Sequence, residues 1–210
     1  MHDTRREYDA TPIDENSMAS DPYEEFEKWY QAAVAAELLE PNAMTLSTVD
    51  EQNRPTSRTV LLKFFDRKGF VFFTNLESRK ARQIAANPRV AILFQWLPLQ
   101  RQLAIEGTAE RVSALESLKY FASRPRGSQL GAWVSQQSSV ITSRSLLEAK
   151  LAELKQKFAG GEVPLPSFWG GFRVVPDRLE FWQGQPNRLH DRIEYLLQSD
   201  GTWIRQRLSP

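Results

Sequence analysis

Between residues 43 and 112 the chain breaks into five short runs rich in β-branched and aromatic residues: AMTLSTVD, TSRTVLLKFF, GFVFFTN, RVAILFQW and RQLAIEGTAERV. Each is bounded by turn-forming or charged residues, the pattern of strands that turn back on themselves. Further candidate strands follow at GGFRVV, RLEFWQG and TWIRQRL. Helical stretches fall between them without regular βαβ alternation, so the sequence predicts a mainly β, mostly antiparallel sheet with flanking helices, closed or split into a barrel. Asp21, Pro22 and Glu24 mark a helix start before EFEKWYQAAVAAELL. Shorter helices are expected at SRKARQIAAN, SALESLKYFASR and SLLEAKLAELKQKFAGG, the last with Ser145 and Glu148 at capping-box spacing and Gly160 and Gly161 as its stop. Residues 1–20 are polar and read as a mobile arm outside the core, leaving 21–210 as one domain.

Composition removes several kinds of chemistry. The chain has no cysteine and only two histidines, His2 and His190, which excludes disulfides, thiolate chemistry and a multi-histidine metal site. Its 27 basic and 26 acidic residues leave a formal net charge of +1, too little for a sequence-wide field that would hold a nucleic acid. No secretory h-region and no run of about 18 apolar residues is present, so a cytoplasmic protein with no membrane partner is expected. No G-x-G-x-x-G occurs, so a Rossmann site is not indicated.

Four stretches concentrate cations, hydroxyls and rings. In RTVLLK, strand alternation would send Arg58 and Lys63 to opposite faces, where an isolated pair ordinarily reaches solvent. ESRKARQ places Ser78, Arg79 and Lys80 at a helix start, where free N–H groups favour an anion and basic side chains are out of place without one. In KYFASRPRGSQLGAWVSQQSS, Tyr120 and Arg124 share a helical face and Ser128 follows a Pro-Arg-Gly turn, a set suited to a phosphomonoester but ordinary in isolation. FWQGQPNRLHDR, if extended, turns Arg188, His190 and Arg192 to one face, where three cations repel unless they meet an anion, and adds Trp182 as a ring platform. Two anion sites with aromatic walls would suit a phosphorylated cofactor beside a phosphorylated substrate.

Taken with RREY (Arg5 to Tyr8), PLPSFWGGFRV and the terminal RLSP, these strings in this order resemble the pyridoxine/pyridoxamine 5′-phosphate oxidase family over nearly the whole chain. The resemblance implies an FMN-binding split β-barrel homodimer with its site at the subunit interface. By matching positions it implies that Arg58, Arg79, Lys80, Gln137 and Ser138 hold the FMN phosphate and its surroundings. Thr59, Val60, Leu61, Leu62, Lys63, Phe73, Thr74 and Gln102 would line the flavin, with Trp182 and Arg192 near its ring. Lys63, Tyr120, Arg124 and Ser128 would grip the substrate phosphate, Arg188 and His190 would act at its pyridine ring, and Arg5 and Tyr8 would belong to a lid over the site. The one departure is Phe73, where a tyrosine is common in the family.

The implied reaction oxidises pyridoxine 5′-phosphate and pyridoxamine 5′-phosphate to pyridoxal 5′-phosphate, by hydride transfer to FMN with O2 as final acceptor, giving H2O2. An FMN-binding module or another flavin reductase on the same barrel is the alternative. Such a protein would need Arg58, Arg79 and Lys80, but not Tyr120, Arg124, Ser128, Arg188 and His190 together. A barrel for single-stranded nucleic acid would need more basic charge than this chain carries.

Overall fold

The computed structural model of the chain describes residues 7–134 and 137–210. Its strands are β1 (Ala43–Val49), β2 (Pro55–Leu61), β3 (Phe64–Asp66), β4 (Gly69–Asn75), β5 (Arg89–Trp96), β6 (Arg101–Arg111), β7 (Trp169–Gln183), β8 (Asp191–Leu197) and β9 (Trp203–Arg207). They pair antiparallel in the order β2-β1-β5-β6-β7-β4-β3, with β8 beside β7 and β9 beside β8. The two ends of that order, β2 and β3, are separated in sequence only by Leu62 and Lys63. The sheet therefore has to curl until its edges approach, and within the connection the Lys63 N–H donates to Val71 O of β4 at 2.9 Å. This is the antiparallel split barrel expected from the strand pattern.

β7 is the spine, pairing with β6 along most of its length, with β4 through its first half and with β8 through its second. GGFRVV and RLEFWQG, expected as two strands, are therefore one. The Pro176-Asp177 step that looks like a break is absorbed as a bulge opposite Glu106 and Gly107. Gly107 is required there, since a Cβ would lie 2.1 Å from Val175 O.

Helix α1 (Pro22–Ala35) begins as expected, with Asp21 accepting from the Tyr23 N–H. It lays Phe26 and Trp29 into the barrel core, where the Phe26 ring meets Phe65, Phe70 and Phe94 at 4.6, 4.9 and 5.3 Å. The segment expected to lie outside the core instead adds Met18 to it, and Ile13 packs alongside. Helices α3 (Ala114–Ser123), α4 (Arg126–Val134) and α5 (Arg144–Lys157) enclose a second cluster with Trp169 at the start of β7. α4 is an addition to the sequence reading: the Pro-Arg-Gly turn is its first turn. The Ser145/Glu148 capping box does not form, because the N-cap position falls two residues earlier, at Ser143, and Arg144 takes Glu148 in an ion pair at 3.0 Å. Among the described residues no helix is long and apolar enough to cross a membrane.

Candidate active site

Helix α2 (Arg79–Ala86) follows β4 and packs on β1, and the space between its first turn, β2, α3 and α4 is a cavity of about 960 Å3. Five of its wall residues are cations, Arg58, Lys63, Arg79, Lys80 and Arg124, and no aspartate or glutamate joins them among the described residues. Thr59, Val60 and Leu61 of β2 also line it, with Phe73 and Thr74 of β4, Tyr120 of α3, Ser128 of α4, and Gln137 and Ser138 of the following strap. A wall of this composition favours an anion strongly. Leu62 is turned into the core instead, 5% exposed.

The two cations expected on opposite faces of one strand reach the same cavity because β2 ends at Leu61, freeing Lys63 from strand alternation. Arg58 lies half-buried against β1. Lys80, in the first turn of α2, is buried, and its Nζ donates to Thr74 Oγ1 (3.2 Å) and Gln137 Oε1 (3.1 Å). Burial first, and nearby Arg58 second, lower its pKa to about 8. Burial likewise lowers the guanidinium of Arg58, with Arg79 contributing, and that of Arg124. The N–H groups at the start of α2 are not all free: that of Arg79 donates to Ser138 Oγ (3.2 Å) and that of Ala81 to Ser78 Oγ (3.4 Å).

The opposite wall is aromatic. Phe73 stacks on Tyr120 at 4.1 Å and on Trp169 at 5.2 Å. Its ring fits because Gly171 on β7 has no Cβ, which would lie 2.8 Å from it. Arg124 lies over the Trp169 ring at 4.9 Å, and its Nη1 is buried without a hydrogen-bond partner. Buried donors are ordinarily satisfied, so this orphan marks a place for an acceptor.

The remaining sequence-predicted residues gather elsewhere. Tyr8, Trp182 and His190 form a cluster with ring centroids 4.6 to 5.7 Å apart. Gly184 makes room for it, since a Cβ there would lie 2.7 Å from the Tyr8 ring. Gln102 pairs with Trp182 across β6 and β7. Trp182 and the cavity residue Trp169 are thirteen residues apart on β7, about 40 Å of strand. Arg5 lies outside the described residues.

The run NRLHDR is not extended, which corrects the expectation of three cations on one face. Residues Pro186–Arg188 form a 3-10 turn, and β8 starts only at Asp191. Asn187 and Arg188 hold φ of 55° and 62°, a left-handed strain that non-glycine residues rarely carry and that lifts the Arg188 side chain into solvent. Arg192 meets a carboxylate of this chain rather than a free anion: its Nε and Nη2 donate to the two oxygens of Glu180 at 2.8 and 3.1 Å. His190 Nδ1 accepts the Gln185 N–H at 3.1 Å, so the proton of the neutral ring sits on Nε2. Sequence reasoning also missed Thr56, Ser57, Asn75, Gly131 and Ala132 in the cavity wall, none of which carries a motif of its own.

A split barrel whose cavity joins, among the described residues, five cations, no carboxylate and a stacked aromatic wall belongs to the class of proteins that bind phosphorylated ring compounds. The family model described as pyridoxamine 5′-phosphate oxidase matches residues 30–158, and that of the pyridoxine 5′-phosphate oxidase C-terminal dimerisation region matches 169–210. The chain belongs to this family. Similar proteins named pyridoxine/pyridoxamine 5′-phosphate oxidase occur in Crocosphaera subtropica, 62% identical over 98% of this chain and 97% of the relative, and in Rippkaea orientalis, 59% identical over the same shares. Among solved structures, PhzG from Burkholderia lata 383, in complex with tetrahydrophenazine-1-carboxylic acid, superposes with a TM-score of 0.91 at 28% identity, covering 98% of this chain and 100% of its own. An FMN binding protein from Nostoc punctiforme shares the fold at a TM-score of 0.73 and 16% identity, covering 92% of this chain and 100% of its own.

Proposed function

We propose that this chain oxidises pyridoxine 5′-phosphate and pyridoxamine 5′-phosphate to pyridoxal 5′-phosphate, with FMN as cofactor, in a homodimer whose sites are shared between subunits. The observation that carries the reading is the cavity itself, with five cations around one space and, among the described residues, no carboxylate to neutralise them. The residues present fit a flavin phosphate: Lys80 is desolvated with neutral oxygens as its hydrogen-bond partners, and burial first, with Arg79 nearby second, lowers the pKa of the Arg58 guanidinium. When bound, FMN supplies the two-electron acceptor that takes hydride from the substrate's C4′ and passes the electrons to oxygen, giving hydrogen peroxide.

The chain's own residues bind and orient. Arg58, Arg79, Lys80, Gln137 and Ser138 hold the cofactor phosphate, while Thr59, Val60, Leu61, Lys63, Phe73 and Thr74 form the flavin's surroundings. Lys63, Tyr120, Arg124 and Ser128 hold the substrate phosphate, with the orphaned Nη1 of Arg124 as a ready donor. Gln102, Trp182, Arg188, His190 and Arg192 come from the partner subunit's copy of the second cluster, since one chain separates that cluster from its own cavity by so long a stretch of β7. There Arg188 positions the pyridine ring, and His190 keeps a proton on Nε2, where it donates to the substrate. Tyr8 closes over the ring and keeps water out.

The test is anaerobic mixing of the purified protein with pyridoxine 5′-phosphate, and separately with unphosphorylated pyridoxine, while the visible spectrum is recorded. A yellow protein that bleaches with the phosphorylated compound alone and recovers in air is expected. A yellow protein that does not bleach would make the chain another flavoprotein on the same barrel, and one that cannot take up FMN would remove the cofactor as well.

A further inference from the structure

Arg58 is gripped on its protein side by neutral oxygens. Its Nη1 donates to Leu46 O (3.2 Å) and Thr48 Oγ1 (2.6 Å), and its Nη2 to Thr56 Oγ1 (2.7 Å) and Gln83 Oε1 (3.3 Å). Arg192 and Arg207 are neutralised where they are held, by Glu180 and Asp191, whereas Arg58, like Arg101, Arg126 and Arg205, is held by neutral oxygens. Arg58 is oriented by contacts that leave its charge uncompensated.

Gln83 organises that cradle. Its Oε1 accepts from Thr48 Oγ1 at 2.7 Å and from Thr56 Oγ1 at 2.9 Å. A hydroxyl has one proton, and once it points at Gln83 only lone pairs remain to face the guanidinium. The Gln83 carbonyl thus turns both threonines into acceptors for Arg58. Its own Nε2 is buried without a partner, so the side chain is retained at the cost of an unsatisfied donor. Thr48 is fully buried and Gln83 nearly so, and neither lines the cavity. Gln83 also lies one turn after Lys80 on α2, so the same amide ties the helix bearing Arg79 and Lys80 to the strand bearing Arg58.

We propose that Gln83, acting through Thr48 and Thr56, is a positioning residue for Arg58 and sets the preference of the cavity for a phosphorylated flavin over the unphosphorylated one. The carbonyl aims the guanidinium, and the absence of a carboxylate leaves its full charge for the phosphate. This rests on the FMN reading of the cavity.

Full-length protein freed of flavin is titrated with FMN and with riboflavin, and each Kd is read from the change in flavin fluorescence. The unsubstituted protein is expected to hold FMN at least about 100-fold tighter than riboflavin. Gln83→Glu places a carboxylate against Arg58 and should raise the FMN Kd at least about tenfold while moving the riboflavin Kd less than about twofold. Thr48→Val should act in the same direction and Thr48→Ser should restore FMN affinity, which keeps the test open if the glutamate variant fails to fold. Equal weakening of both ligands would reduce Gln83 to a structural residue, and an unchanged FMN Kd in Gln83→Glu and Thr48→Val would overturn the proposal. An unsubstituted protein that does not distinguish FMN from riboflavin would instead overturn the phosphate assignment of the cavity, and the inference with it.

Discussion

Lys80 keeps its proton at neutral pH with little to spare, because burial and Arg58 bring its pKa to about 8 from 10.5. The unfolded chain therefore binds more protons than the folded one between those values. The destabilisation from a charged Lys80 is fully present below about 8 and is relieved as pH rises toward 10.5. A bound phosphate reverses the preference and favours the ammonium. FMN affinity should then be level up to about pH 8 and fall above it by up to about tenfold per pH unit. Titrations from pH 7 to 9 would show the fall, and Lys80→Arg, which does not titrate there, should abolish it. Arg124 carries a second residue-scale expectation. Its buried Nη1 has no partner among the described residues, so Arg124→Met should leave thermal stability nearly unchanged. The KM for pyridoxine 5′-phosphate should nevertheless rise at least about tenfold, and an unaltered KM would remove Arg124 from the substrate phosphate site.

Whole elements were legible where a local signal had no competitor. Asp21 and Pro22 start α1 as their chemistry directs. The Ser145/Glu148 spacing lost to a start two residues earlier, at Ser143, while Ser113 and Glu116 close a reciprocal box at the start of α3 at 3.1 and 2.9 Å. β8 escaped notice because the turn before it bends residues that alternation would have extended. The segment before α1 is an element of another kind, held by side chains far along the chain. The N–H groups of Asp9 and Ala10 donate to Gln100 Oε1 at 3.0 and 3.2 Å, and that of Ile13 to Asp191 Oδ2 at 3.0 Å. Gly184 admits Tyr8 to the same region. Gly184→Ala should dislodge Tyr8 from Trp182 and His190, speed hydrogen exchange at Asp9 and Ala10, and lower kcat/KM with little change in global stability. Unchanged exchange at those two amides would show that the arm does not depend on the missing Cβ.

At the scale of the molecule, the two halves of the proposed site lie on one chain but not in one place. A dimer that shares its sites makes a definite forecast for mixed subunits. Arg58→Ala and Arg188→Ala proteins, each inactive, should regain about a quarter of normal activity after unfolding and refolding together in equal amounts, because half the dimers then hold one intact site. No recovery would place Arg58 and Arg188 in the same subunit's site.

The sequence by itself determined most of the strand runs, the antiparallel barrel, the first helix, and the stock of cations and rings from which a phosphate site could be made. These follow from local chemistry, since alternation, caps and turns act over a few residues. Tertiary structure alone decided which cations converge, that Glu180 claims Arg192, and that Thr48 and Gln83 orient Arg58 from beneath the cavity wall. Arg58 and Gln83 are 25 residues apart, and Arg192 and Glu180 are 12 apart. Coulomb attraction, desolvation and hydrogen bonding depend on distance in space, and those distances exist only once the sheet has curled.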